Sequence, residues 1–133
     1  MRTPAEILSN AHTIALVDAS PRPERPSNSV MRYLLEQGYR VLPVRPHVAE
    51  VLGVPCVASL AEIEEPIDVV DVFRRAEFCP GIAEEAAAVG ARALWLQLGI
   101  VSPQARAIAE RAGMDYVENA CTAIVHRALA NTV

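Results

Sequence analysis

All twelve basic residues of this 133-residue chain are arginines; there is no lysine. That absence removes the phosphate-loop lysine, Schiff-base chemistry and the Tyr-x-x-x-Lys pair of small reductases, and leaves guanidinium as the only permanently cationic side chain. Cysteine is sparse as well. Cys56, Cys79 and Cys121 are odd in number, widely spaced and without a C-x-x-C pair, so neither a disulfide framework nor a zinc knuckle is expected, and a reducing, cytoplasmic setting fits best. His12, His47 and His126 are equally scattered, with no metal-ligand spacing. Aromatic residues make up 5% of the chain, so its core must be aliphatic. No run of roughly eighteen apolar residues exists, and the N-terminal stretch lacks signal-peptide character; a soluble, unprocessed protein outside the membrane is expected. A formal net charge of -4 argues against nucleic acid or an anionic membrane as a partner of the molecule as a whole.

What the chain does have is 52% hydrophobic residues in short, dense runs, enough for one domain over residues 1–133. Thr3-Pro4-Ala5-Glu6 has the pattern of a capping box and opens a short helix to about Ala11. Thr13 to Val17 is a strand, followed by an irregular stretch from Asp18 to Pro26 that holds three prolines. Ser27 is expected to cap the next helix, which stops at Gly38. Arg40 to Val44 is a second strand, Val48 to Leu52 one or two helical turns, Cys56-Val57 a short edge strand and Ser59 to Ile63 a short helix. Strands Ile67 to Phe73, Ala93 to Leu98 and Met114 to Val117 then alternate with helices ending near Val89, Ala112 and Leu129. Strands that are apolar throughout are buried on both faces, which means a parallel sheet covered by helices on either side. The expected fold is an α/β three-layer, Rossmann-like open parallel sheet of about five strands in the order 3-2-1-4-5, with the flavodoxin-like order as competitor.

In such a sheet ligands bind beyond the carboxyl ends of the strands, where strand order reverses, here between the first strand and Ile67 to Phe73. The loops assigned to that edge carry Arg22, Arg25, Arg45, Arg74 and Arg75, next to a helix start at Ser27-Asn28-Ser29. Guanidinium forks, helix-start amides and hydroxyls together suit phosphate, although each arginine alone reads equally as a solvated loop charge. The dinucleotide fingerprint G-x-G-x-x-G is absent. Arg45 stands where an NAD-binding carboxylate would, which favours a ligand with an extra ribose phosphate, as in NADP or coenzyme A.

The segments TIALVDASPRPERPS, QGYRVLPVRP, EPIDVVDVFRR and ALWLQLGIVSPQA resemble the small stand-alone CoA-binding proteins, which are similar to the N-terminal domain of the succinyl-CoA synthetase α subunit. The likeness runs from about Pro4 to Leu129. The family's P-x-R-P-S loop matches Pro23, Arg25, Pro26 and Ser27, its hydroxyl after the first strand Ser20, its strand-end pair Phe73-Arg74 and its W-x-Q-x-G motif Trp95, Gln97 and Gly99. The resemblance implies a domain that holds coenzyme A or an acyl-CoA by its nucleotide end. Ser20, Arg22, Arg25, Ser27 and Arg74 would handle phosphates, with Ala19 and Pro26 in the same loop, and Phe73 and Pro46 would meet adenine or ribose. Two departures stand out: Asp18 replaces the glycine usual in relatives, and Arg45 the usual asparagine before Pro46. A carboxylate at Asp18 opposes a nearby pyrophosphate unless it turns away, and the charge of Arg45 offsets it.

The remaining candidates read as structure. Cys79 lies near a helix start after two arginines, a setting that lowers a thiol pKa, but a packed, inert thiol is the simpler reading. Asp68 is expected to start its strand and Asp71 to bond a neighbouring loop, while Trp95 is core with a partner required for its indole N–H. His47 sits in a mouth loop, and His126 is a packing or surface residue. No nucleophile, metal cluster or acid/base pair stands out, so binding without catalysis is expected. A small NADP-dependent oxidoreductase and an interaction module that has lost its ligand, with Asp18 as the lesion, are the competing functions. Alanine-rich helix faces leave a homodimer or a partner enzyme open.

Overall fold

The computed structural model describes residues 1–131; Thr132 and Val133, the end of the expected domain, lie outside the described residues. Helix α1 (Pro4–Asn10) starts on the expected capping box, with the Thr3 hydroxyl accepting from Glu6 N and the Glu6 carboxylate from Thr3 N. Strand β1 (Thr13–Val17) is wholly buried and leads to helix α2 (Pro26–Glu36) and strand β2 (Arg40–Val44). Ser27 is not the cap of α2. Arg25 holds that place with Pro26 at the first helical position, because the proline ring presets the helical φ one residue earlier than the serine pattern suggested.

The expected helical turns at Val48 to Leu52 are absent. A hairpin of β3 (Glu50–Val51) and β4 (Val54–Pro55) stands there, turned by Leu52 and Gly53 at φ of 51° and 78°. Two consecutive left-handed residues match the hand of a two-residue hairpin turn, and leucine in the first place is what hid it. Beyond a short 3-10 turn at Leu60–Glu62 come β5 (Val69–Val72), helix α3 (Cys79–Ala88), β6 (Ala93–Leu96), helix α4 (Pro103–Arg111), β7 (Asp115–Val117) and helix α5 (Thr122–Ala130).

Five parallel strands pair in the order β2-β1-β5-β6-β7, and Val57 makes one parallel bridge to Val44 outside β2. Taken in chain order the five paired strands run 2-1-3-4-5, and with the Val57 bridge counted as an edge strand after β2 the order becomes 3-2-1-4-5-6, the expected Rossmann-like arrangement with its third strand reduced to one residue and one strand more at the far edge. Pro43, which lacks an N–H, offers its carbonyl to Val57 N on that outer edge, where a missing donor costs nothing. On one face Ala15, Val70, Val72, Leu94 and Leu96 pack against Ile82, Ala83 and Ala86 of α3 and Ala105 and Ala109 of α4. On the other, Ile14, Leu16, Val69 and Trp95 meet Ile7 and Leu8 of α1, Met31 and Leu34 of α2 and Ala123 of α5. The chain is therefore a three-layer, Rossmann-like α/β sandwich. Among the described residues no helix is long and apolar enough to cross a membrane.

Candidate functional site

The two loops that leave β1 and β5 at their carboxyl ends pass to opposite faces, to α2 and to α3, and so part the sheet edge into a crevice. The loop after β1 is stitched shut from within. Ser20 N donates to the Ser27 hydroxyl at 3.1 Å, Asn28 Nδ2 to Ser20 O at 3.0 Å, Arg22 N to the Ser20 hydroxyl at 3.2 Å, and Arg25 N to Arg22 O at 3.1 Å. These bonds use the two serine hydroxyls as acceptors and leave their protons to donate outward. Ser20, Arg25, Pro26, Ser27 and Phe73, with Asp18, enclose a hollow of about 130 Å³ at the start of α2. The positive end of the α2 dipole borders it.

A second hollow, of about 340 Å³, adjoins it on the other side of Asp18. Its walls are aliphatic, from Val17, Val44, Leu60 and Ile82, and its charges mixed, from Arg45, Arg74, Asp18 and Glu85. Asp18 borders both hollows with φ at 70°, a left-handed conformation that glycine adopts without strain. Its carboxylate lies 4.0 Å from Arg45 Nε, and Arg45 also reaches Ala19 O at 3.4 Å, so the expected offset of one departure by the other is visible. Phe78 carries the Arg74 guanidinium, whose Cζ lies 3.8 Å from the ring centroid.

Of the residues expected at the cleft, Asp18, Ser20, Arg25, Pro26, Ser27, Arg45, Pro46, Phe73 and Arg74 line one of the two hollows. Ala19 is buried in the core on the α2 side and offers only its carbonyl, to Arg45. Arg22 and His47 are exposed on the rim and line neither hollow. Arg75 turns to Glu77 at 3.3 Å, out in solvent. The sequence did not point to Leu60, Ile82 or Glu85 as lining residues. Glu85 has the same helical surroundings as its neighbour Glu84, and only the docking of α3 beside the strand ends tells them apart.

Cys79 is buried, with its thiol pushed up to about 11 by desolvation and its Sγ against the carbonyls of Arg74 and Arg75, so it packs as a core residue. Trp95 is fully buried and its indole N–H donates to Ala120 O at 2.8 Å. Asp71 has an unexpected environment: it is wholly buried, accepts from Gln97 Nε2 at 2.5 Å and from the Thr122 hydroxyl at 3.0 Å, and burial pushes its carboxyl up to about 7. His126 packs, with Nδ1 2.7 Å from the Tyr33 hydroxyl. Asp68 ties the start of β5 to β1 by accepting from His12 N and Thr13 N.

Comparison with known proteins bears on this geometry. YneT of Bacillus subtilis (strain 168), an uncharacterized protein, is 40% identical over 121 residues, which is 91% of this chain and 90% of that protein. A hypothetical protein from Pyrococcus horikoshii OT3 has the same fold, with a TM-score of 0.92 at 40% identity over 97% of this chain and 93% of its own. The ADP-forming acetate–CoA ligase I of Archaeoglobus fulgidus is 28% identical over 127 residues, and the match covers 88% of this chain but only 18% of the ligase. The model of the CoA binding domain matches residues 12–127, and with it the crevice at the β1 and β5 ends falls inside the matched region: the chain belongs to the CoA binding domain family.

Proposed function

We propose that this chain, as one domain over residues 1–133, binds coenzyme A or an acyl-CoA by its phosphate and adenosine end in the cleft at the strand ends, and does so without catalysing a reaction. The observation that carries the reading is the 130 Å³ hollow, in which Ser20, Ser27 and Arg25 surround the start of α2. Hydroxyl protons, a guanidinium fork and the helix dipole there are the donors that a pyrophosphate needs. Arg45 meets the additional ribose phosphate from the other side of Asp18, and Phe73 and Pro46 give apolar contact to ribose and base. Three free thiols, Cys56, Cys79 and Cys121, agree with work in a reducing cytoplasm.

Titration calorimetry with coenzyme A, NADP and NAD tests the proposal. Coenzyme A is expected to bind and NAD not to. Arg25→Ala should weaken coenzyme A by roughly 1.5 to 3 kcal/mol, the range for a hydrogen bond to a charged group. No heat with coenzyme A at millimolar concentration would overturn the reading, and binding of NADP alone would replace it. Asp18, whose carboxylate borders both hollows, favours a second reading in which the chain has lost its ligand. An Asp18→Gly variant that binds where the parent does not would establish it.

A further inference from the structure

Gln97 directly follows β6, with its backbone N–H on Val72 O and the residue 5% exposed. Its side chain forms a closed polar triangle with Asp71 and Thr122. One amide N–H donates to Asp71 Oδ1 at 2.5 Å, the other to Thr122 Oγ1 at 3.0 Å, and the Thr122 hydroxyl donates to Asp71 Oδ2 at 3.0 Å. Every proton has a place as long as Asp71 is ionised. Gln97 Oε1 takes no part, and since no buried side-chain oxygen among the described residues lacks a partner, it is the end of the amide that water reaches. No charge faces Asp71 among the described residues. β1 and β6 set Leu16 and Trp95 beside it, the buried residues of α1, α2 and α5 are uncharged, and the Arg32 guanidinium of α2 is bonded to Asn28 Oδ1. The titratable or charged side chains of α5 and its cap are Cys121, His126, whose Nδ1 meets the Tyr33 hydroxyl, and Arg127, which lies over the Tyr33 ring. Burial raises the Asp71 carboxyl to about 7, so both of its forms are populated near neutral pH.

The protonated acid needs an acceptor that this triangle does not offer. A proton on Oδ1 points at an amide N–H. A proton on Oδ2 takes over the Thr122 oxygen and strands the Thr122 hydroxyl proton, in a fully buried residue with no other acceptor near it. A half turn of the Gln97 amide about its last torsion removes both conflicts, because oxygen and nitrogen change places without moving the rest of the side chain. The acid then donates to Gln97 Oε1, and the Thr122 hydroxyl keeps its bond to Oδ2. The 2.5 Å separation fits this arrangement, since it suits an O–H···O bond and falls below the roughly 2.7 to 3.2 Å of N–H···O.

We infer that Gln97 is a two-position switch thrown by the proton of Asp71, its N–H groups turned inward on the carboxylate and outward, toward the strand ends, when the acid is protonated. The proton comes from solvent and returns to it, and no backbone atom has to move. The sheet edge next to Phe73 thus offers one carbonyl acceptor when Asp71 is ionised and two amide donors when it is not. The inference does not depend on what occupies the crevice.

The test is an NMR titration of the isotope-labelled parent across neutral pH, which needs no variant to fold. Two signals are followed: the Asp71 carboxyl carbon, which reports the proton, and hydrogen exchange of the Gln97 side-chain amide with water, its resonance identified by its loss in Gln97→Met. Exchange of an amide open to water is catalysed by hydroxide and slows as the solution is acidified. The protection of Gln97 relative to a free glutamine amide is expected to fall about tenfold on acidification, the scale of losing a hydrogen bond to a charged group, with the midpoint of the Asp71 carbon. Asp71→Asn reproduces the acid form, because only an amide N–H aimed at Gln97 Oε1 leaves the Thr122 hydroxyl its acceptor; its Gln97 amide should be open at every pH. Protection that stays constant while the Asp71 carbon titrates would overturn the inference, as would an Asp71 carbon that does not titrate near neutral pH. A folded Asp71→Asn variant with a protected Gln97 amide would overturn it as well.

Discussion

Replacing Asp71 with asparagine should change the pH dependence of stability more than stability itself. Asp71 sits in the middle of the sheet, in register with Leu16 of β1 and Trp95 of β6, at 0% exposure, and its two hydrogen-bond donors, from Gln97 and Thr122, are both neutral. Burial outweighs these bonds and raises the carboxyl from 3.8 to about 7. The native protein therefore keeps a proton that the unfolded chain releases near pH 4, and between those two values it binds more protons than the unfolded state. Stability then falls as pH rises from about 4 to about 7 and levels off above, the reverse of an ordinary surface carboxylate. At about 1.4 kcal/mol per pH unit the displacement amounts to about 4 kcal/mol. Glu6, Glu65 and Asp115 have lowered values from hydrogen bonds to Thr3, Arg40 and Arg2, so their contributions run the other way and are lost only in more acidic solution, below about pH 5. The difference between parent and variant across pH 5 to 8 isolates Asp71. Asparagine is nearly isosteric with the protonated acid and carries no charge. Urea unfolding, read by the fluorescence of the buried Trp95 at a series of pH values from 5 to 8, should show the parent weakening by about 3 kcal/mol and Asp71→Asn staying level. Parallel curves for the two proteins would refute the argument, because the slope would then belong to other groups.

Trp95→Phe removes the donor to Ala120 O and leaves a small void, and should cost about 2 to 4 kcal/mol in denaturant unfolding followed by circular dichroism. Asp18→Gly relieves a left-handed residue and removes the carboxylate between the two hollows, so calorimetry should find coenzyme A bound more tightly than by the parent; weaker binding would show that the carboxylate serves the ligand. Cys79, buried and raised to about 11, should resist a thiol reagent at neutral pH in the folded protein while the half-exposed Cys56 and Cys121 react, with mass spectrometry counting the labels.

Much of the cleft could be read from the chain because its parts are local. The P-x-R-P-S loop puts Arg25, Pro26 and Ser27 at three consecutive positions, and Ser20 and Phe73 follow strands that announce themselves as apolar runs. Arg22 and Arg75 look the same in sequence as Arg25 and Arg74. What separates them is whether the backbone at the loop turns the side chain into the crevice or toward solvent and Glu77. The hairpin at Leu52-Gly53 was hidden because leucine is an unfavourable residue at a left-handed position, and the chain pays for that turn through packing that local pattern does not record.

The sequence by itself determined the layering and the kind of cation that the crevice carries. Runs such as TIALV and ALWL can only be buried on both faces, and a chain without lysine has only guanidinium to offer a phosphate at every pH. The tertiary structure decided everything that depends on distance between segments far apart in the chain. It made the third strand a single bridge at Val57, brought Glu85 and Leu60 to the hollow opposite Asp18, laid Arg74 on Phe78, and buried Asp71 among neutral donors. Periodicity reports which face a residue takes; solvation, stacking and pKa depend on which other faces meet it, and those are settled only when the sheet and helices dock.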